Sequence, residues 1–171
     1  MGYSILLFDA DNTILDFDKA EAQAIRTTLK QYGLPDSDQY AVRYHHINQS
    51  LWKSLEQTGM TKEKLWDKRF ALLFEEMGVS GVDTAAFNRD YIGHIREGGF
   101  LMPHAGEVCR DLSQQHRLFI ITNGITASFT KRFEDSGISP YFEDVFISEE
   151  IGYLKPDLRF FQHVAKHIPG F

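Results

Sequence analysis

Three short, unbroken apolar runs, each ending abruptly in polar residues, constrain this chain more than any other feature. SILLF at residues 4–8 runs into Asp9, LFIIT at 118–122 into Asn123 and Gly124, and VFIS at 145–148 into Glu149 and Glu150. None alternates as a strand with one wet face would, and each is followed by helical spacing. A strand that is apolar at every position must be covered on both faces, and crossover helices supply that cover in a parallel sheet. The expected fold class is therefore α/β, with a parallel sheet between helical layers.

Between the first two runs helical periodicity takes over. Asp18 and Glu21 have the spacing of a capping box, and Ala22, Ile25, Leu29 and Tyr32 then form a stripe ending at Gly33. Tyr40, Tyr44, Ile47, Leu51 and Leu55 make the next stripe, with a stop near Gly59. Thr61 opens a third helix, with Trp66, Phe70, Leu73 and Met77 in register and Gly78 as its stop; Asp83 opens a fourth, with Phe87, Tyr91 and Ile95 before Gly98 and Gly99. Four such helices can bury their stripes against one another. The expected organisation is an all-α helical bundle at residues 17–98, inserted into a discontinuous core of residues 1–16 and 99–171.

Residues 103–116 read as a helix returning to the core, with Val108 and Leu112 inward and Cys109, about 100° round the helix, half-buried. Ile125, Phe129 and Phe133 mark a helix ending at Gly137. Pro156 and Asp157 open the last one, which carries Phe160, Phe161, Val164 and Ile168.

Composition narrows the function. With 18 Lys+Arg against 24 Asp+Glu the formal charge is −6, which argues against a nucleic acid polymer or an anionic membrane as partner. A small anionic substrate stays open, because local field governs its binding. A lone cysteine, Cys109, cannot form an internal disulfide, and a cytoplasmic setting is expected. The apolar run before Asp9 is too short for a signal segment or a membrane span.

The chemistry concentrates at the strand ends. Asp9 and Asp11 follow the first strand, at the edge where open α/β sheets collect ligands. Two apart, they can direct both carboxylates to one place while Ala10 points elsewhere. Such a pair suits a hard cation such as Mg²⁺, whose charge offsets their repulsion. One carboxylate can then attack phosphorus while the other moves protons. Thr122, Asn123 and Gly124 end the second strand with a hydroxyl, an amide and a glycine that lets an anion approach the backbone. Lys155, before Pro156 and a helix start, adds a cation that favours phosphate. An Asp-x-Asp pair alone reads more readily as solvated turn carboxylates; all three groups following strands of one sheet point to a single bound oxyanion.

Phe8-Asp9-Ala10-Asp11-Asn12-Thr13, Thr122-Asn123-Gly124 and Lys155-Pro156 resemble motifs one, two and three of the haloacid dehalogenase-like hydrolase superfamily. The helical insertion resembles the subfamily with a cap after motif one. YHHINQSLW at 44–52 and YFEDVFISE at 141–149, with Gly152 and Lys155, resemble the bacterial pyrimidine 5′-nucleotidase-like branch. The resemblance implies a three-layer Rossmann-like core with an all-α cap. It also implies a Mg²⁺-dependent phosphatase that hydrolyses small phosphomonoesters, nucleoside 5′-monophosphates foremost, through an aspartyl-phosphate. Asp9 would be the nucleophile and a metal ligand. Asp11 would be the general acid and base, with its backbone carbonyl on the metal. Thr122 and the Asn123 backbone would hold the phosphoryl group, and Lys155 would neutralise it and orient Asp9. The acid at position 11 argues against carbon–halogen hydrolysis, since the true dehalogenases lack one there.

The superfamily's fourth motif, which supplies a further metal ligand, would lie beyond Phe171, and Glu149 and Glu150 are not its counterparts. The resemblance thus leaves two expectations, a truncated form of a longer protein or a shortened product whose missing wall is absent or replaced by another chain. Residues 1–171 alone are expected to leave the first strand at a sheet edge, prone to self-association. For the leaving group the candidates are Phe17 in the linker to the cap, His45 and Trp52, each also compatible with packing. His163 and His167, four apart, lack the glutamate of a helical metal motif. A β-phosphoglucomutase-like isomerase, which shares the nucleophile, and a non-catalytic remnant or interaction module are the other readings.

Overall fold

A computed structural model describes residues 3–58 and 61–171; the helix stop placed near Gly59 lies outside the described residues. In chain order the elements are β1 (Ile5–Phe8), α1 (Phe17–Gln31), α2 (Asp38–Thr58), α3 (Lys62–Met77), α4 (Thr84–Ile95), α5 (Ala105–Ser113), β2 (Arg117–Thr122), α6 (Thr126–Asp135), a 3-10 turn (Ser139–Tyr141), β3 (Asp144–Ile147), α7 (Ser148–Ile151) and α8 (Leu158–His167). They fall into two compact units, one of Met1–Phe17 with Gly99–Phe171 and one of Asp18–Gly98. Among the described residues no helix is long and apolar enough to cross a membrane.

In the first unit β1, β2 and β3 pair in parallel with β2 in the middle; Phe8 stands opposite Ile120, and Thr122 opposite Ile147. The apolar runs are explained by where successive side chains go. Ile120 and Ile147 join a cluster with Ala105, Cys109, Phe129 and Phe133 from α5 and α6, whereas Phe119, Ile121 and Phe146 pack with Phe160, Val164 and Ile168 from the last helical segment. Alternate positions of one strand therefore serve opposite faces, and neither face can be polar. This is the three-layer α/β arrangement expected. Ser148, expected to close the third strand, instead opens α7.

The expected face of α5 needs correction. Cys109 is fully buried and Val108 is 46% exposed, so the helix is turned by about one residue. Ala105 and Cys109, four apart and small, form its inward edge, where they join Ile120 in the core cluster. Burial pushes the Cys109 thiol above its ordinary value.

In the helical unit the caps follow the local sequence. Thr61 accepts a hydrogen bond from the Lys64 amide, and Asp83 accepts from the Ala85 and Ala86 amides at 2.9 and 3.1 Å. Gly78, at φ 66°, closes α3 in the left-handed region. The core is aromatic. Phe70 is fully buried, stacked on Tyr44 at 5.2 Å and edge-on to Phe87 and Tyr91. The buried Arg69 guanidinium lies 5.0 Å from the Phe70 ring and 4.9 Å from Tyr91, and it donates from Nε to Asn88 Oδ1.

Two stripes differ from expectation. In α3 the inward residues are Leu65, Arg69, Phe70, Leu73 and Phe74, with Trp66 and Met77 only half-buried. In α1 they are Ala20, Glu21, Ala24, Ile25, Thr28 and Leu29, in place of Ala22 and Tyr32. The helix already begins at Phe17, so Asp18 lies in its first turn rather than at a cap, and Glu21 turns inward. Small residues on α1 allow a close approach: a Cβ added at Gly98 would stand 2.4 Å from Ala20 Cβ. Gly98, just after α4, makes room there.

Candidate active site

The loop after β1 is built by one carbonyl. Ala10 O accepts from the amides of Thr13, Ile14 and Leu15 at 3.3, 3.0 and 2.9 Å, and Asn12 takes φ 58°, a left-handed value that asparagine tolerates. Ala10 is thereby sunk in the core, while Asp9 and Asp11 stay partly exposed. Thr13 Oγ1 donates to Asp9 Oδ2 at 3.1 Å. The two carboxylates and the neighbouring main-chain carbonyls are hard oxygen donors, chemistry that suits Mg²⁺ better than a softer metal. Among the described residues no group of three or more His, Cys, Asp or Glu could hold a metal ion.

Lys155, distant in sequence, arrives at the same place. Its Nζ donates to Asp9 Oδ1 at 2.6 Å and to Ile121 O at 2.7 Å. The Asn123 side chain fixes the lysine by a reciprocal pair with its backbone: Asn123 Nδ2 donates to Lys155 O at 3.0 Å, and the Lys155 amide donates to Asn123 Oδ1 at 2.8 Å. Thr122 is buried, and its Oγ1 accepts from the Gly124 amide at 3.0 Å. A Cβ on Gly124 would stand 3.1 Å from Thr122 Oγ1 and 3.6 Å from Asp11 Oδ2, so this glycine occupies the narrow space between the ends of β1 and β2. Asp9, Asp11, Thr122, Asn123 and Lys155 are thus brought together in one unit.

Sequence reasoning missed Arg132. It is 1% exposed on α6, and its Nη2 donates to Asp11 Oδ1 at 2.7 Å. Phe17 belongs to the same unit, and its ring centroid lies 5.2 Å from the Arg132 guanidinium carbon. A signal was present: Arg132 follows Phe129 by three and Ser128 by four, so it shares the inward face of α6.

The other two leaving-group candidates lie in the helical unit. Trp52 is half-buried, with the Lys62 ammonium 5.9 Å from its ring. His45 Nδ1 lies 2.5 Å from Glu21 Oε2, and Asn48 Nδ2 donates to Glu21 Oε1 at 2.7 Å. Burial outweighs these contacts and raises the Glu21 carboxyl above its ordinary 4.5. The folded chain then holds this proton more readily than the unfolded one. Stability from Glu21 is accordingly full below its unfolded value and is lost as pH rises through the raised one. Glu21→Gln, neutral throughout, should remove that dependence. In chemical unfolding at a series of pH values, the parent's stability minus the variant's should decline as pH climbs above 4.5. A constant difference would show that Glu21 titrates alike in both states.

Known proteins extend this picture. The haloacid dehalogenase-like hydrolase family matches residues 6–168. YfnB of Bacillus subtilis (strain 168) is 38% identical over 169 residues, covering 99% of this chain and 72% of YfnB. A crystal structure of YfnB bound to magnesium superposes with a TM-score of 0.93 over 100% of this chain and 76% of that one. The pyrimidine 5′-nucleotidase PynA of Streptococcus pneumoniae (strain ATCC BAA-255 / R6) is also 38% identical, over 172 residues, with 72% of its length covered. The pyrimidine 5′-nucleotidase YjjG of Escherichia coli (strain K12) is 26% identical over 166 residues, 97% of this chain and 72% of its own. With a family match spanning nearly the whole chain and the Asp9, Thr122 and Lys155 segments gathered at the ends of a parallel sheet, this chain belongs to the haloacid dehalogenase-like hydrolase family.

Proposed function

We propose that this protein is a Mg²⁺-dependent phosphatase acting on small phosphomonoesters, nucleoside 5′-monophosphates foremost. The observation that carries the proposal is the 2.6 Å contact between Lys155 Nζ and Asp9 Oδ1, made beside Asp11 and Thr122 where parallel strands end. A lysine held by two acceptors at a carboxylate can orient it and leave positive charge for a phosphoryl group. The names of PynA and YjjG support the choice of substrate class.

In this mechanism an Asp9 carboxylate oxygen attacks phosphorus as the bond to the leaving oxygen breaks, and Asp11 gives that oxygen its proton. Asp11 then takes a proton from water, whose oxygen attacks the aspartyl-phosphate. The bond between phosphorus and Asp9 breaks and inorganic phosphate departs. The Thr122 hydroxyl and the Asn123 amide steady the phosphoryl oxygens, and the Asn123 side chain keeps Lys155 in place. Mg²⁺, held by the Asp9 carboxylate and the Asp11 backbone carbonyl, would supply charge neutralisation for the phosphoryl oxygens. We assign recognition of the leaving group to Phe17, whose ring lies against Arg132, and to His45 and Trp52 of the helical unit.

Phosphate release from a panel of pyrimidine and purine nucleoside monophosphates, with Mg²⁺ and with chelator, tests this. Release that is Mg²⁺-dependent and fastest on a nucleotide is expected. No release from any phosphomonoester would sink the proposal, and isomerisation of a sugar phosphate without net release would make the protein a mutase.

A further inference from the structure

Arg132 is the least expected group in the first unit. A buried guanidinium is costly unless its donors are satisfied, yet only part of this one is. Nη2 donates to Asp11 Oδ1 at 2.7 Å, and Nε donates to Ser128 O at 3.2 Å. Nη1 has no hydrogen-bond partner among the described residues. The Phe17 ring lies 5.2 Å from the guanidinium carbon. Simple packing on α6 needs none of this, since an apolar side chain would fill the same space without an unpaired donor.

We infer that Arg132 is the positioning residue of Asp11, holding the carboxylate by Oδ1 so that Oδ2 is left to exchange protons with the leaving group and with water. The inference rests on the phosphatase reading and adds to it a residue whose hydrogen bonds go to Asp11 and Ser128 rather than to the nucleophile. Ser128 O and the Phe17 ring restrict where the guanidinium can go, and the guanidinium in turn restricts Asp11. Oδ2, 3.6 Å from the position a Gly124 Cβ would take, lies on the side of Thr122 and the phosphate-binding turn. The aim of this carboxylate matters because a proton donor out of reach by an ångström forfeits much of its advantage.

The test compares Arg132→Met and Arg132→Lys in the full chain on two esters. A nucleoside monophosphate has a poor leaving group that needs protonation, and p-nitrophenyl phosphate has a good one that does not. In single-turnover release of the leaving group, which reports the first step alone, Arg132→Met should slow the nucleotide on the order of 100-fold but p-nitrophenyl phosphate by less than about 5-fold, with KM little changed, and lysine should restore part of the loss. Equal losses on both esters, or none, would overturn the inference. Combined with Asp11→Asn, Arg132→Met should cost almost nothing further, whereas additive losses would mean that it acts elsewhere.

Because Asp11 is partly solvated, Arg132→Met leaves no charge stranded in the interior. Should that variant nonetheless fail to fold, the lysine variant carries the same comparisons. A crystal structure of the variant separates this inference from the phosphatase reading. Asp11 should turn away from its place in the parent, and an unmoved Asp11 carboxylate overturns positioning whatever the activity. A parent inactive on every ester would defeat the phosphatase reading, while the Asp11 conformation would still decide the role of Arg132.

Discussion

Replacing Asp9 by Asn is expected to abolish phosphate release, by roughly 10⁴-fold or more, while leaving the fold intact. Loss of the nucleophile in covalent catalysis falls on that scale, because the amide has no charged oxygen to attack phosphorus. The Asp9 side chain is 46% exposed, so the substitution strands no charge in the core. Lys155 loses its carboxylate partner but keeps Ile121 O and the backbone latch to Asn123. Circular dichroism should therefore match the parent, and the variant should still bind a nucleotide without turning it over. Residual turnover within about 10-fold of the parent would move the nucleophile to another residue.

Replacing Phe70 by Ala should cost about 3–5 kcal/mol, a large part of the roughly 5–15 kcal/mol that stabilises an ordinary domain. Phe70 is fully buried, with Tyr44, Phe74, Phe87 and Tyr91 around it and the Arg69 guanidinium over its ring. Removing the ring leaves a cavity whose walls are stiff aromatic side chains from α2, α3 and α4, which cannot all move in to fill it. It also takes away a face on which the buried Arg69 charge rests. Both tryptophans, Trp52 and Trp66, lie within the Asp18–Gly98 unit, so their fluorescence during denaturant unfolding reports that unit alone. A loss below about 1 kcal/mol would mean that the cluster collapses into the space instead of remaining open.

The order of residues alone sets the parallel sheet, because a run apolar at every position is stable only between two helical layers. Residues 5–8, 118–122 and 145–147 accordingly lie in strands whose alternate side chains feed opposite clusters. It also determined the family, through the segments around Asp9, Thr122 and Lys155. Local capping was equally legible at Thr61, Gly78 and Asp83, since a cap depends on hydrogen bonds to amides a few residues away.

Helix faces were less legible, and for one physical reason. Periodicity finds the apolar side of a helix, but a turn of about 100° per residue is decided by what lies opposite. Val108 went to solvent and Cys109 inward because the small Ala105–Cys109 edge joins the core beside Ile120. Buried charge was legible at most as spacing, never as a partner. Arg132, Arg69 and Glu21 are polar letters on inward faces, and sequence patterning assigns such letters to solvent. Their partners are Asp11, Asn88 and the pair His45 and Asn48, and none of these is a neighbour that a local pattern would supply. That Arg132 meets Asp11 follows from packing alone, because the contact exists only once α6 has settled against the sheet that carries the aspartate.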